Sequence, residues 1–202
     1  MLSVYKQWKY LKIIILTGIT ETGGNLLFYG ISFVVNDIGF NFGINSLLMG
    51  CGEIITAYCL TFFVMKVRRK KTAFICYTLA GIFGLSFAFS FVSSNPILCS
   101  VLVIGIRVCT SKNYHNLAIG YSMIAMIQTE SFPIHIQSIG AGSIEALAQI
   151  GCFLSPILVT MAINLSIEKM AVLAAGLLIL LFPLKFVPEP FGKVHKEDES
   201  EE

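Results

Sequence analysis

Six apolar runs fill most of the chain: 11–35, 46–67, 72–93, an interrupted run 96–127, 138–163 and 170–186. Each is close to the roughly 20 apolar residues that a helix needs to cross a bilayer. Polar positions collect in short connections between the runs. The pattern predicts an all-α membrane protein with six transmembrane helices. It also predicts three regions: an N-terminal segment 1–10, a membrane domain 11–186 and an acidic tail 187–202. The run after residue 10 is too long for a secretory signal, and no small-residue cleavage site ends it.

Basic residues set the expected orientation. Eleven of the 14 Lys and Arg residues fall on one side of a six-crossing arrangement. They are Lys6, Lys9 and Lys12, then Lys66, Arg68, Arg69, Lys70 and Lys71, then Lys185, Lys193 and Lys196. Short loops rich in Lys and Arg stay cytoplasmic, so both termini are expected in the cytoplasm. Splitting the fourth run into two crossings would need spans of about a dozen residues, which are too short. The expected location is a multi-pass integral membrane protein of the plasma membrane.

Composition agrees with this pattern. Hydrophobic residues make up 55% and charged residues 13%, against roughly 25% charged in a soluble domain. A net charge of +2 gives no reason to expect a nucleic-acid partner. The six cysteines lie in or beside apolar runs without Cys-x-x-Cys spacing, as small hydrophobes do. Asn164, Leu165 and Ser166 match a glycosylation sequon, but so close to helix ends that a glycan has little room. No phosphate loop, metal constellation or nucleophile elbow is present. The reading is therefore not an enzyme, with no cofactor and no metal.

Charges within apolar runs carry the functional signal, because each costs roughly 2.5 to 3.5 kcal/mol to insert. Glu21 sits mid-run among Thr17, Thr20, Thr22 and Asn25. Glu53, Arg107 and Glu145 lie in the second, fourth and fifth runs. Such groups face a bundle interior or a wet cavity, or snorkel from near a helix end. Most of the glycines within the runs are expected at helix contacts, where a small residue allows close approach.

Several stretches resemble the C-terminal six-helix half of a major facilitator superfamily transporter, closest to the organic cation, anion and carnitine transporter family. Tyr29-Gly-Ile-Ser32 resembles a Tyr-Gly-Leu-Ser run in that family's seventh helix. Gly52-Glu-Ile-Ile-Thr-Ala-Tyr58 resembles its eighth helix, and Thr129-Glu-Ser-Phe-Pro133 the Ala-Glu-Leu-Tyr-Pro signature ending its tenth. Gln149-Ile-Gly-Cys-Phe-Leu-Ser-Pro156 resembles its eleventh, and Pro188-Glu-Pro190 the Pro-Glu-Thr that follows its last helix.

The resemblance implies half of a secondary-active carrier for small organic ions or solutes, working by alternating access. Its partners would be the lipid bilayer, the small organic solute and a second six-helix half, either another copy or a separate chain. Glu21, Asn25, Tyr29, Glu145 and Gln149 are the expected substrate-cavity residues. Glu53, Arg107 and Glu130 are the expected gating or internal-pairing residues. The alternative is a non-transporting, degenerate membrane subunit acting through helix contacts.

The departures favour that alternative. The basic loop at 64–69 lacks the family's acid and glycine. Gln137 replaces an expected Arg. Arg107 and Pro133 stand about seven residues too far apart, and the polar run Thr110-Ser-Lys-Asn-Tyr-His-Asn116 interrupts the helix between them. That run reads either as a broken helix at a binding site or as an insertion foreign to the fold.

Overall fold

The computed structural model describes residues 8–35, 43–44, 46–47, 50–51, 54, 69–88, 95–110, 112–113, 116–117, 119–165 and 168–187. Helix α1 spans Trp8–Val34, α2 Arg69–Phe87, α3 Pro96–Thr110, α4 Ile119–Ser131, α5 Ile134–Asn164 and α6 Lys169–Leu181. A 3-10 turn, Phe182–Phe186, continues α6. Between α3 and α4 lie two short strands, β1 Lys112–Asn113 and β2 Asn116–Leu117. They pair antiparallel, Lys112 with Leu117 and Asn113 with Asn116.

The chain is thus almost entirely helical among its described residues. By length and composition three stretches suffice to cross a membrane: Tyr10–Val34, Ile136–Asn164 and Lys169–Phe186. The expected second crossing, 46–67, lies outside the described residues except at isolated positions, and Glu53 with it. The interrupted fourth run breaks where the polar residues stand. Helices α3 and α4, 15 and 13 residues long, would each reach only about 20 Å. Neither spans a hydrocarbon core of about 30 Å alone.

Helix α1 forms the centre. It packs on α5 along one side and α6 along another, while α2 packs on α3, α4 and α6. Its polar side chains do not oppose the helix, because they bond back into it. Thr17, Thr20 and Thr22 donate to the carbonyls of Ile13, Leu16 and Gly18, four residues earlier. Apolar side chains from α1, α2, α3, α4 and α6 share one core, which includes Leu27, Ile31, Tyr77, Ile106, Ile124 and Leu173. A smaller cluster joins Ile13 and Ile14 to Phe132, Ile136 and Ile144.

Glycines mark the close crossings, as the sequence suggests. A Cβ at Gly151 of α5 would come within 2.2 Å of the Thr22 carbonyl oxygen and 3.0 Å of the Leu26 nitrogen on α1. At Gly18 it would meet Leu147, and at Gly81 and Gly84 it would meet Leu178 and Ala174 of α6. Gly142 differs, with nothing within 4 Å. Cys76, Cys99 and Cys109 are buried, Cys152 is half-buried and Cys51 exposed, and all five are free thiols.

Candidate functional site

The polar interior is built on α1, where positions 21, 25, 28 and 32 recur at helical spacing and lie on neighbouring faces. Glu21 sits near the helix midpoint and is 2% exposed. Gln128 of α4 donates from Nε2 to Glu21 Oε1 at 2.6 Å. The carboxylate is therefore held across two helices by an amide that is itself buried. An amide donor stabilises a carboxylate without adding a second charge to the interior.

Asn25, one turn on, faces α5. Its Nδ2 donates to the Ala148 carbonyl at 2.8 Å. Thr22 shares its hydroxyl proton between the Gly18 carbonyl (2.8 Å) and the Leu147 carbonyl (3.1 Å). These bonds lie within one helical turn of the Gly151 crossing, so the close helix contact and the polar cross-links adjoin. The structure places Asn25 as a tie between helices. Tyr29 is more open, with 37% of its surface exposed and its ring edge-on to Phe28 at 5.1 Å.

Arg107, expected as a gating or pairing charge, is buried on α3 and turned toward α1. Its Nη2 donates to Ser32 Oγ at 2.9 Å, and its guanidinium lies 4.2 Å from the Phe28 ring centre. The ring's negative face stabilises the cation, and the hydroxyl accepts one of its protons. Glu130 is half-buried in the last turn of α4.

Glu145 and Gln149 are brought together on α5, but along one helix and in a more open setting. Gln149 Nε2 donates to Glu145 Oε1 at 2.6 Å, and Cys152 Sγ donates to Gln149 Oε1 at 3.2 Å. All three are half-buried. An apolar cavity of about 770 Å³ is lined by Gly43, Ile44, Ser46, Leu47, Gly50, Cys51 and Ile54. Among the described residues, none of the expected site residues lines it.

Three residues that make these contacts escape a reading from sequence: Gln128, Ser32 and Phe28. Gln128 had a signal, being an amide directly after the apolar stretch 119–127. Ser32 ended the quoted Tyr-Gly-Ile-Ser run without being assigned a role. Phe28 is indistinguishable in sequence from a core aromatic. Among the described residues, no group of three or more His, Cys, Asp or Glu side chains stands ready to hold a metal. The arrangement holds and orients fixed charges inside a helical bundle.

The contacts also locate the helix break. Arg107 meets α1 at Ser32 and Gln128 meets it at Glu21. As continuous helix, 107–128 would cover about 31 Å, whereas 21–32 covers about 17 Å. About 15 Å of chain is surplus to the axis at this point. The strand pair β1–β2 falls within that stretch of sequence.

No family model matches the chain. It is similar to an organic cation transporter protein of Drosophila melanogaster, with 29% identity over 164 residues. The match covers 78% of this chain and 28% of that relative. The chain thus spans about a quarter of the relative's length. With the long apolar helices, this similarity fits a membrane protein.

Proposed function

We propose that the chain is one six-helix half of a secondary-active carrier for small organic cations, related to the C-terminal half of the major facilitator fold. It works by alternating access with a second half, and both of its ends face the cytoplasm. The observation that carries this reading is Glu21. A carboxylate held at the centre of an apolar bundle is costly, and in membrane proteins such groups mark solute and ion pathways. Glu145 and Gln149, half-buried on the more open helix, complete the wall of the substrate path with Tyr29. Asn25 and Arg107 hold α5 and α3 to α1, and Glu53 and Glu130 serve as gating or pairing charges.

A lone half supplies one wall of a two-walled site. Purified alone into liposomes, the chain is expected to show no saturable uptake of labelled tetraethylammonium. Co-expressed with an N-terminal transporter half, it should gain uptake, and Glu145→Gln should reduce that uptake far more than Glu53→Gln. Uptake by the lone chain, or full activity with Glu21 and Glu145 both neutralised, would overturn the proposal. The polar break between α3 and α4 favours a second reading, a non-transporting subunit. Failure to gain uptake with any second half, despite a folded complex, would select it.

A further inference from the structure

The end of the bundle where α2 begins and α6 finishes gathers cations from distant parts of the sequence. Lys70 donates its ammonium protons to the carbonyls of Lys185 and Val187. This clamps the 3-10 turn to the first turn of α2. It satisfies carbonyls that the end of a helix leaves open. It also fixes the position of two further lysines. Lys71 and Lys185 are both exposed. The Lys185 ammonium lies 5.8 Å from the Phe74 ring centre and 5.7 Å from that of Phe182. Phe74 is one turn along α2 from Lys71, so the two lysines belong to the same end of the α2–α6 seam.

Both lysines cap apolar stripes. Below Lys71, the exposed side chains of α2 are Ile75, Leu79, Ile82 and Leu85. Beside Lys185, Phe182 and Phe186 are 59% and 57% exposed and stack edge to face at 5.5 Å. Among the described residues no carboxylate pairs with Lys71 or Lys185. The same end carries Arg69, and the sequence places Lys66 and Arg68 just before it. A ligand that fits has a negative head and an apolar body lying along the helices.

We propose that this end of the α2–α6 seam binds an anionic phospholipid of the adjoining leaflet, its phosphate and acidic headgroup between Lys71 and Lys185 and its acyl chains along Phe182, Phe186 and Ile75. Juxtamembrane lysines attract anionic lipid by a factor of roughly five each, so the pair contributes roughly thirtyfold. The site depends on the Lys70 clamp, which holds cations from two separate helices at one place. It stands independently of whether the chain transports anything.

The test uses the full chain in neutral detergent, titrated with fluorescently labelled phosphatidylserine and, separately, labelled phosphatidylcholine. Saturable binding of phosphatidylserine is expected, with binding to phosphatidylcholine at least tenfold weaker. The double substitution Lys71→Gln, Lys185→Gln should remove most of that preference. Lys12→Gln, which neutralises an exposed lysine near the start of α1, should leave it intact. Equal loss with Lys12→Gln would show diffuse attraction and overturn the site. Binding of free glycerophosphoserine as tight as that of the lipid would overturn the assignment to a membrane lipid. If the acidic residues 197–202 fill the site from the chain's own tail, the full chain will show no preference for phosphatidylserine, and the proposal fails.

Discussion

Helices α1 and α5 are both long and apolar, and each carries a carboxylate well inside its span. Their surroundings differ. Two-thirds of the apolar window of α1 is buried (67%), against 28% for α5. Glu21 on α1 is 2% exposed and held by an amide from another helix. Glu145 on α5 is half-buried and bonded to its own helix one turn on. Along α5 the side facing away from α1 is open, with Phe153 75% and Ile157 54% exposed. The same sequence feature thus has two meanings. In α1 the charge is part of how helices are joined. In α5 it lies at the border between the packed bundle and an open face.

The largest expected effect lies where the two helices meet. Gly151→Ala puts a methyl 2.2 Å from the Thr22 carbonyl oxygen. That atom is backbone, and Thr22 and Asn25 hold it against α5. The helices must separate, which costs roughly 3 kcal/mol, at the upper end of overpacking penalties. For a chain of this size, that lowers the apparent Tm in detergent by roughly 6 to 12 °C. Gly142→Ala, on the same helix with nothing within 4 Å, should be neutral, or stabilising by up to about 1 kcal/mol through helix propensity. Equal melting of the two variants would show that Gly151 does not mark a tight crossing.

This contrast shows what sequence reveals and what it hides. The helices outside 46–67 were legible because long apolar runs leave little alternative. Their ends shifted by a few residues: α1 begins at Trp8 where the run suggested residue 11, and α2 begins at Arg69 where it suggested 72. The basic residues at those ends extend the helices without adding apolar character. The break between α3 and α4 was legible from the polar residues 110–116. Pairing was not. Glu21 stands out in any reading, yet Gln128 lies 107 positions away, and nothing local joins them. Asn25 reads as a cavity residue because it shares a face with Glu21. Its bond to a backbone carbonyl of α5 depends on a crossing that only Gly151 permits. Gly151 and Gly142 likewise look alike in sequence, and only the position of the neighbouring helix separates them.

A smaller effect should separate the two carboxylates. Gln128→Leu leaves a buried carboxylate oxygen without its amide donor, at a cost of about 1 to 3 kcal/mol. Gln149→Leu removes a bond within one helix in a half-open setting and should cost less than about 1 kcal/mol. Adding Glu21→Leu to Gln128→Leu should recover much of the loss, because replacing both partners by apolar groups is often near neutral. The coupling energy from that double-mutant cycle, measured from apparent stability, should be roughly 1 kcal/mol or more. A coupling near zero would separate Glu21 from Gln128 energetically and remove the contrast with Glu145.

The smallest expected change concerns the strand pair between α3 and α4. Arg107 and Gln128 are both anchored on α1, and about 15 Å of chain between them is surplus to the axis. Deleting 110–116 removes about 10 Å of helical rise and leaves the rest to a short link. Seven residues are close to two full turns, so the faces of α3 and α4 stay within roughly 20° of register. Arg107 would still reach Phe28 and Ser32, and Gln128 would still reach Glu21. The deletion also breaks up the strand pair, whose non-helical backbone a bundle tolerates only when protein or water surrounds it. The shortened chain should therefore fold, with an apparent Tm equal to the parent's or a few degrees higher, and with a sharper size-exclusion peak in detergent. A clear loss of folded protein would show that β1 and β2 are structural supports of the α3–α4 wall. The central packing of α1 would then depend on a segment that its anchoring contacts leave free.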